Sequence, residues 1–155
     1  MSLEENKAIV RKWVEATNKR NLSILDELIA PDFFHPTWQL RGAEGYKQFY
    51  TMFLKGFPDC HETIEDIIAE GDKVWHRFTT TGTHTGEFVF GNMTLAPTGK
   101  KFTMTGVNFW HIVDGKVVEK EGIYDQLEFF KQLGVIEYTG KGKKLFPEDA
   151  TWLLW

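Results

Sequence analysis

The sequence predicts an α+β fold: a cone-shaped, curved antiparallel sheet with three N-terminal helices on its concave face. Three observations carry that reading. Apolar residues recur at helical spacing as far as Gly56. After Pro58 the pattern changes to long Thr-, Val- and aromatic-rich runs suited to strands. The dipeptide Asp114-Gly115 then joins two of those runs as a short hairpin. Helices first and strands afterwards argue for segregated elements, and a curved sheet covered on its concave side leaves a pocket between sheet and helices.

The elements follow in order. From Leu3 to Arg20, Ile9, Val10, Trp13, Val14 and Thr17 mark one face of a helix. Leu22, Leu25, Leu28 and Ile29 make a second, short helix that ends before Pro31. "FFHPTW" is irregular or extended, because Pro36 disfavours helix at His35. Tyr46, Phe49, Tyr50 and Phe53 stripe a third helix from about Ala43 to Gly56. "HETIEDIIA", "KVWHRFTTTGTHTG", "KFTMTGVNFWHIV" and "KVVEKEGIYD" are the strands, with turns at Glu70 to Asp72 and at Pro97-Thr98-Gly99. "QLEFFKQLG" is a last helix closed by Gly134. Residues 1–134 read as one domain. Residues 135–155 read as a tail packing on that domain or on a partner subunit. Within it "KGKK" reads as a solvated loop and the apolar "ATWLLW" as part of a homodimer interface.

Length and composition narrow the function. A chain of 155 residues buries enough surface to need no metal or disulfide staple. The net charge of -4 and the absence of long basic runs argue against nucleic acid. No apolar run is long enough to cross a membrane, and the N-terminus lacks a signal-peptide pattern, so a cytoplasmic location is expected. The single cysteine, Cys60, excludes an intrachain disulfide and reads as buried or incidental. His35, His111 and Asp125 could in principle supply three metal ligands, but HExxH and HxH are absent, so no metal and no cofactor are expected. GxSxG and GxGxxG are absent too.

"IIAEGDKVWHRFTTTGTHTGEF", "PTGKKFTMTGVNFWHIVDGKVVE" and "YDQLEFFKQLG", in that order, resemble the SnoaL-like polyketide cyclase family. That family belongs to the nuclear-transport-factor-2-like (NTF2-like) superfamily of cone-shaped folds. The resemblance implies a cofactor-independent cyclase that closes a ring by intramolecular aldol condensation. It implies a general acid/base carboxylate at the end of the last long strand, matching Asp125, and a pocket histidine on the preceding strand, matching His111. The sequence departs from the family in placing Glu121 where a Trp is usual, and His111 where many relatives carry Arg.

Each candidate has a plainer role beside the chemical one. Asp125 is placed to cap the helix that follows it; walled by aromatics, it would also lose solvation and become a useful base. His111 shares a strand face with Val107 and Phe109, opposite Trp110. It would either fill the core or stabilise an enolate from the pocket. Glu121 shares parity with Asp125 and would sit at the lip of the cone or bracket a flat ligand. His35, Trp38, Phe49, Phe53 and Phe109 are the expected walls for an apolar or aromatic small molecule. His84 is expected to be structural. His76 and Arg77 point to opposite faces, and the sequence leaves both unassigned. A non-catalytic binder of small molecules, an isomerase and an epoxide hydrolase remain open beside the cyclase.

Overall fold

A computed structural model describes residues 1–145; the expectation for "ATWLLW" lies outside the described residues. Helix α1 spans Leu3–Asn18. It starts at Ser2, whose hydroxyl accepts from the Glu5 amide while the Glu5 carboxylate accepts from the Ser2 amide, at 3.2 and 2.6 Å. Val10, Trp13 and Ala16 line its buried face. A 3-10 turn at Leu22–Ile24 leads into α2, Leu25–Leu28. Strand β1, Ile29–His35, and the two-residue β2, Leu40–Arg41, frame a turn that holds Trp38. Helix α3 spans Gly42–Gly56.

The strands follow as β3 (His61–Glu70), β4 (Lys73–Thr83), β5 (Phe88–Phe90), β6 (Met93–Leu95), β7 (Lys101–Val113) and β8 (Lys116–Tyr124). Helix α4 covers Gln126–Gln132, and α5 covers Lys141–Leu145. The six-stranded sheet has the order β2-β1-β8-β7-β4-β3, and β5 with β6 forms a separate hairpin. Sheet and helices make the expected α+β cone, with three differences. The sheet is mixed, because β1 runs parallel to β8. The "FFH" of the segment expected to be irregular belongs to β1, with Pro36 falling in the turn after it. "KGKK" forms the short helix α5 and not a loop.

Two apolar clusters fill the cone. One gathers Val10, Trp13, Leu25, Phe33, Trp110 and Val117 beneath α1 and α2. The other gathers Phe57, Phe88, Phe102, Phe129 and Leu133 near α4. Irregularities in the ladders set which residues face inward. The β3–β4 register shifts between Ile64 and Asp66, and the β7–β8 register shifts between His111 and Ile112. Each shift changes the inward parity along the strand. In β3 the inward set is Glu62 and Ile64, then Ile67 and Ala69.

Candidate functional site

On β4 and β7 the even-numbered residues are the ones withdrawn from solvent. The pairing of His76 with Asn108 and of Asn108 with Gly122 therefore sets three neighbouring strands around one hollow. A Cβ on Gly122 would come within 2.7 Å of the Asn108 side-chain oxygen, so only glycine leaves that amide its place. The resulting cavity measures about 120 Å³. Its aromatic wall is Trp38, Tyr46, Phe49, Tyr50 and Phe53, and its polar residues include His35, Glu62, Asn108 and Lys120. A shallower groove of about 470 Å³ shares Trp38, Gly122 and Tyr124 with the cavity and continues outward past Thr37 and Glu121.

The polar groups form an ordered chain. Trp110 donates its indole N–H to His76 Nδ1 at 2.8 Å. An indole nitrogen can only donate, so the proton of neutral His76 sits on Nε2. That nitrogen is 3.0 Å from Glu62 Oε1 and donates to it. Asn108 Nδ2 lies 3.3 Å from the same Nε2 and is a neighbour there, not a donor. His76 is fully buried, while the Glu62 side chain keeps 23% of its exposure at the cavity wall. Two bonds between Asn18 and the Glu62 backbone, 2.8 and 2.9 Å long, fix the position of Glu62 on α1's flank. Glu62 is thus a carboxylate at the cavity, oriented by a histidine that a tryptophan orients in turn.

Lys120 enters from β8. Its Nζ donates to Asn108 Oδ1 at 3.3 Å and lies 5.1 and 5.7 Å from the Trp110 and Tyr46 ring centres. Loss of hydration holds its basicity below the ordinary lysine value, against the opposing charge of Glu62. Burial, then the charge of Lys120, pulls the His35 pKa down to about 3, so His35 is neutral at physiological pH. Burial pushes the Tyr124 hydroxyl and the Cys60 thiol each up to about 12, which keeps both protonated and Cys60 unreactive. Among the described residues no three His, Cys, Asp or Glu side chains gather as a metal site would require.

Residues 7–133 match the family described as SnoaL-like polyketide cyclase. The chain belongs to that family. AcmA, an aklanonic acid methyl ester cyclase of Streptomyces galilaeus, is 31% identical over 137 residues, covering 85% of this chain and 92% of AcmA. DauD, an aklanonic acid methyl ester cyclase of Streptomyces sp. (strain C5), is 28% identical over 146 residues, covering 90% and 88%. Among solved structures, AclR of Streptomyces galilaeus superposes with a TM-score of 0.78 at 31% identity, covering 98% of this chain and 97% of AclR. IdmH of Streptomyces antibioticus gives 0.70 at 32% identity, covering 84% and 99%. These likenesses agree with the NTF2-like cone.

Against this family framework the predicted site residues divide. His35, Trp38, Phe49 and Phe53 line the cavity. Glu121 lies in the outer groove, where its carboxylate accepts from the Thr37 hydroxyl at 3.0 Å. His111, Phe109 and Asp125 are not among the cavity's lining residues, and their expected burial is corrected. The parity was as read, but the buried face of β7 is that of Asn108 and Trp110. Phe109 therefore packs against Trp75 on the outer face, the two rings tilted with centres 4.8 Å apart, and His111 pairs with Asp72 beside it. Asp125 is exposed, and its carboxylate accepts from the Glu128 amide at 2.8 Å as the cap of α4. His84 is buried against Phe57, as expected of a structural histidine.

Glu62, His76, Asn108 and Lys120 went unassigned in the sequence. Among the described residues no helix is long and apolar enough to cross a membrane.

Proposed function

We propose that the chain catalyses a cofactor-independent aldol ring closure on an aromatic, carbonyl-bearing polyketide, with Glu62 as the base. The observation that carries this is the Glu62–His76–Trp110 chain at the wall of an aromatic cavity. Glu62 takes a proton from the carbon next to a ketone. The carbon then attacks a second carbonyl of the same molecule, whose oxygen becomes an alkoxide and takes the proton back. Lys120 and the neutral His35 stand where hydrogen bonds to the developing oxyanion lower the barrier. No oxidant or reductant enters the balance. The relatives AcmA and DauD carry the name aklanonic acid methyl ester cyclase, which supports the reaction class.

The size of the cavity restricts what goes inside. An apolar hollow of about 150 Å³ holds one benzene ring. The inner cavity therefore takes one ring or a ketone-bearing chain, and the outer groove by Glu121 takes the remainder of the ligand. The reading includes a cytoplasmic location and a homodimer. Ile68 and Ile123, 62% and 72% exposed, crowd the outer sheet face with Trp75 and Val107 and suit a self-association surface.

Acetophenone, one ring with a ketone, is a fitting probe. In deuterated buffer its methyl protons should exchange faster with the protein than without it, and Glu62→Gln should abolish the gain while ring binding persists. A ligand-binding protein without chemistry is the second reading, favoured by the solvent-exposed Asp125. Binding of acetophenone with no acceleration of exchange in the unmodified protein would establish it.

A further inference from the structure

We propose that Lys120 is a covalent group: its ε-amine adds to an aldehyde or ketone of the bound ligand and forms an imine. The proposal rests on the reading above for the class of ligand, and it concerns how the carbonyl is activated. The first argument is placement. Lys120 sits opposite Trp110 across the β7–β8 ladder, its Nζ stands over the Trp110 and Tyr46 rings at 5.1 and 5.7 Å, and it lines the cavity. The second is its partner. Lys47 lies 2.8 Å from Asp26, and Lys12 lies 3.0 Å from Glu27, both in the ordinary surface manner. Lys120 has only the neutral oxygen of Asn108, at 3.3 Å, and forms no ion pair among the described residues. A lysine that serves solubility or a surface pair would not place its amine over two aromatic rings at a cavity wall.

The groups facing it sharpen the point. Among the described residues Glu62 from β3 is the one carboxylate on the cavity wall. His35 from β1 is held neutral, and His76 from β4 keeps its Nε2 proton on Glu62. Tyr46 and Tyr50 from α3, Tyr124 from β8 and Cys60 before β3 all stay protonated, because burial raises their pKa values. Loss of hydration at Nζ favours the free amine, the form that attacks a carbonyl.

The chemistry balances with water alone. The nitrogen lone pair forms the C–N bond while the C=O electrons move to oxygen, giving a carbinolamine once the proton on nitrogen passes to oxygen. Protonation of that hydroxyl and loss of one water give the iminium. Glu62 then takes the adjacent C–H proton, and the resulting enamine attacks the second carbonyl. One water hydrolyses the imine and frees the amine, so water is neither gained nor lost.

The test uses the full chain with 4-methoxybenzaldehyde and cyanoborohydride at pH 7, followed by peptide mapping. The expected result is one methoxybenzyl group, on Lys120, formed several-fold faster than on the exposed Lys19, because the cavity holds the aldehyde beside the Lys120 amine. Labelling of Lys120 no faster than Lys19 overturns the proposal. Lys120→Arg keeps a cation but cannot form the imine. Acetophenone exchange that survives Lys120→Arg and is lost in Glu62→Gln also overturns it, leaving proton abstraction intact. Selective labelling of Lys120 in a protein that does not accelerate exchange supports the imine and removes the ring-closure reading instead.

Discussion

Two carboxylate–imidazole pairs stand on the same sheet, and they face opposite ways. His76 with Glu62 lies on the inner face, and His111 with Asp72 on the outer. The outer pair is the shorter, 2.8 against 3.0 Å. Its His111 and Asp72 side chains keep 30% and 55% of their exposure, whereas His76 keeps none and Glu62 keeps 23%. Two unit charges 4 Å apart interact by about 1 kcal/mol in water and about 4 kcal/mol where the effective dielectric constant is near 20. Contact length therefore says little about what such a pair can do. Access of water says more. The hydrogen bond from His111 holds the Asp72 carboxyl below its ordinary range, but the pair remains a surface feature.

The sharpest way to break this contrast is to neutralise both carboxylates. Glu62→Gln should lower catalysed acetophenone exchange by about 10²-fold or more, the usual share of a general base. Asp72→Asn should leave it within about twofold, because nothing reacts on the outer face. Exchange measured by proton NMR in deuterated buffer decides the matter, and equal losses in both variants would collapse the distinction.

The histidines sharpen the comparison through stability. His76→Leu removes the acceptor for the Trp110 indole, and a buried donor left unpaired costs about 1–3 kcal/mol. The loss of the stacked His76–Trp110 contact, 5.6 Å between ring centres, adds to it. His111→Gln should change stability by less than about 0.5 kcal/mol. Urea unfolding of the two variants reads the difference directly.

Much of the frame was legible in the chain, and the site was legible only in part. Helical spacing placed α1 and α3, and Asp114-Gly115 placed the β7–β8 hairpin. His35, Trp38, Phe49 and Phe53 could be named as walls because they are bulky and lie on or just before the third helix. The failure came at β7, where Phe109 and Trp110 are both large and apolar. Alternation separates the two faces, but it does not say which is inside when both carry aromatics. Lys120 hides in "VVEKEG", where flanking acids make it look like one member of a solvated charge run. Glu62 hides in "HETIED", and the shift beyond Ile64 breaks the alternation that would have set it beside Ile67. Register shifts depend on partner strands, which a single chain of letters does not display.

His35 extends the comparison to pH. Its folded pKa of about 3 lies below the ordinary 6.5, so the unfolded chain binds more protons between those values. Stability should consequently rise with pH across that window, and the contribution is lost as pH falls toward 3. One proton of difference gives a slope approaching about 1.4 kcal/mol per pH unit in mid-window. His35→Gln should flatten the dependence, as followed by urea midpoints from pH 3.5 to 7. The exposed pair of Asp72 and His111 should leave the same curve nearly unchanged when Asp72→Asn removes it.

The smallest effect belongs to the carboxylate that the sequence placed first. Asp125 accepts from the Glu128 amide at the start of α4, on the exposed surface. Asp125→Ala should cost about 1 kcal/mol, the usual worth of an N-cap, and Asp125→Asn only a few tenths, since an amide oxygen caps nearly as well. Neither should slow acetophenone exchange by more than about twofold, because Asp125 is not among the residues lining the cavity that Glu62 lines. A loss in Asp125→Asn as large as that in Glu62→Gln, with folding intact by circular dichroism, would move the base from the inner wall to the strand end and undo the division between the two faces.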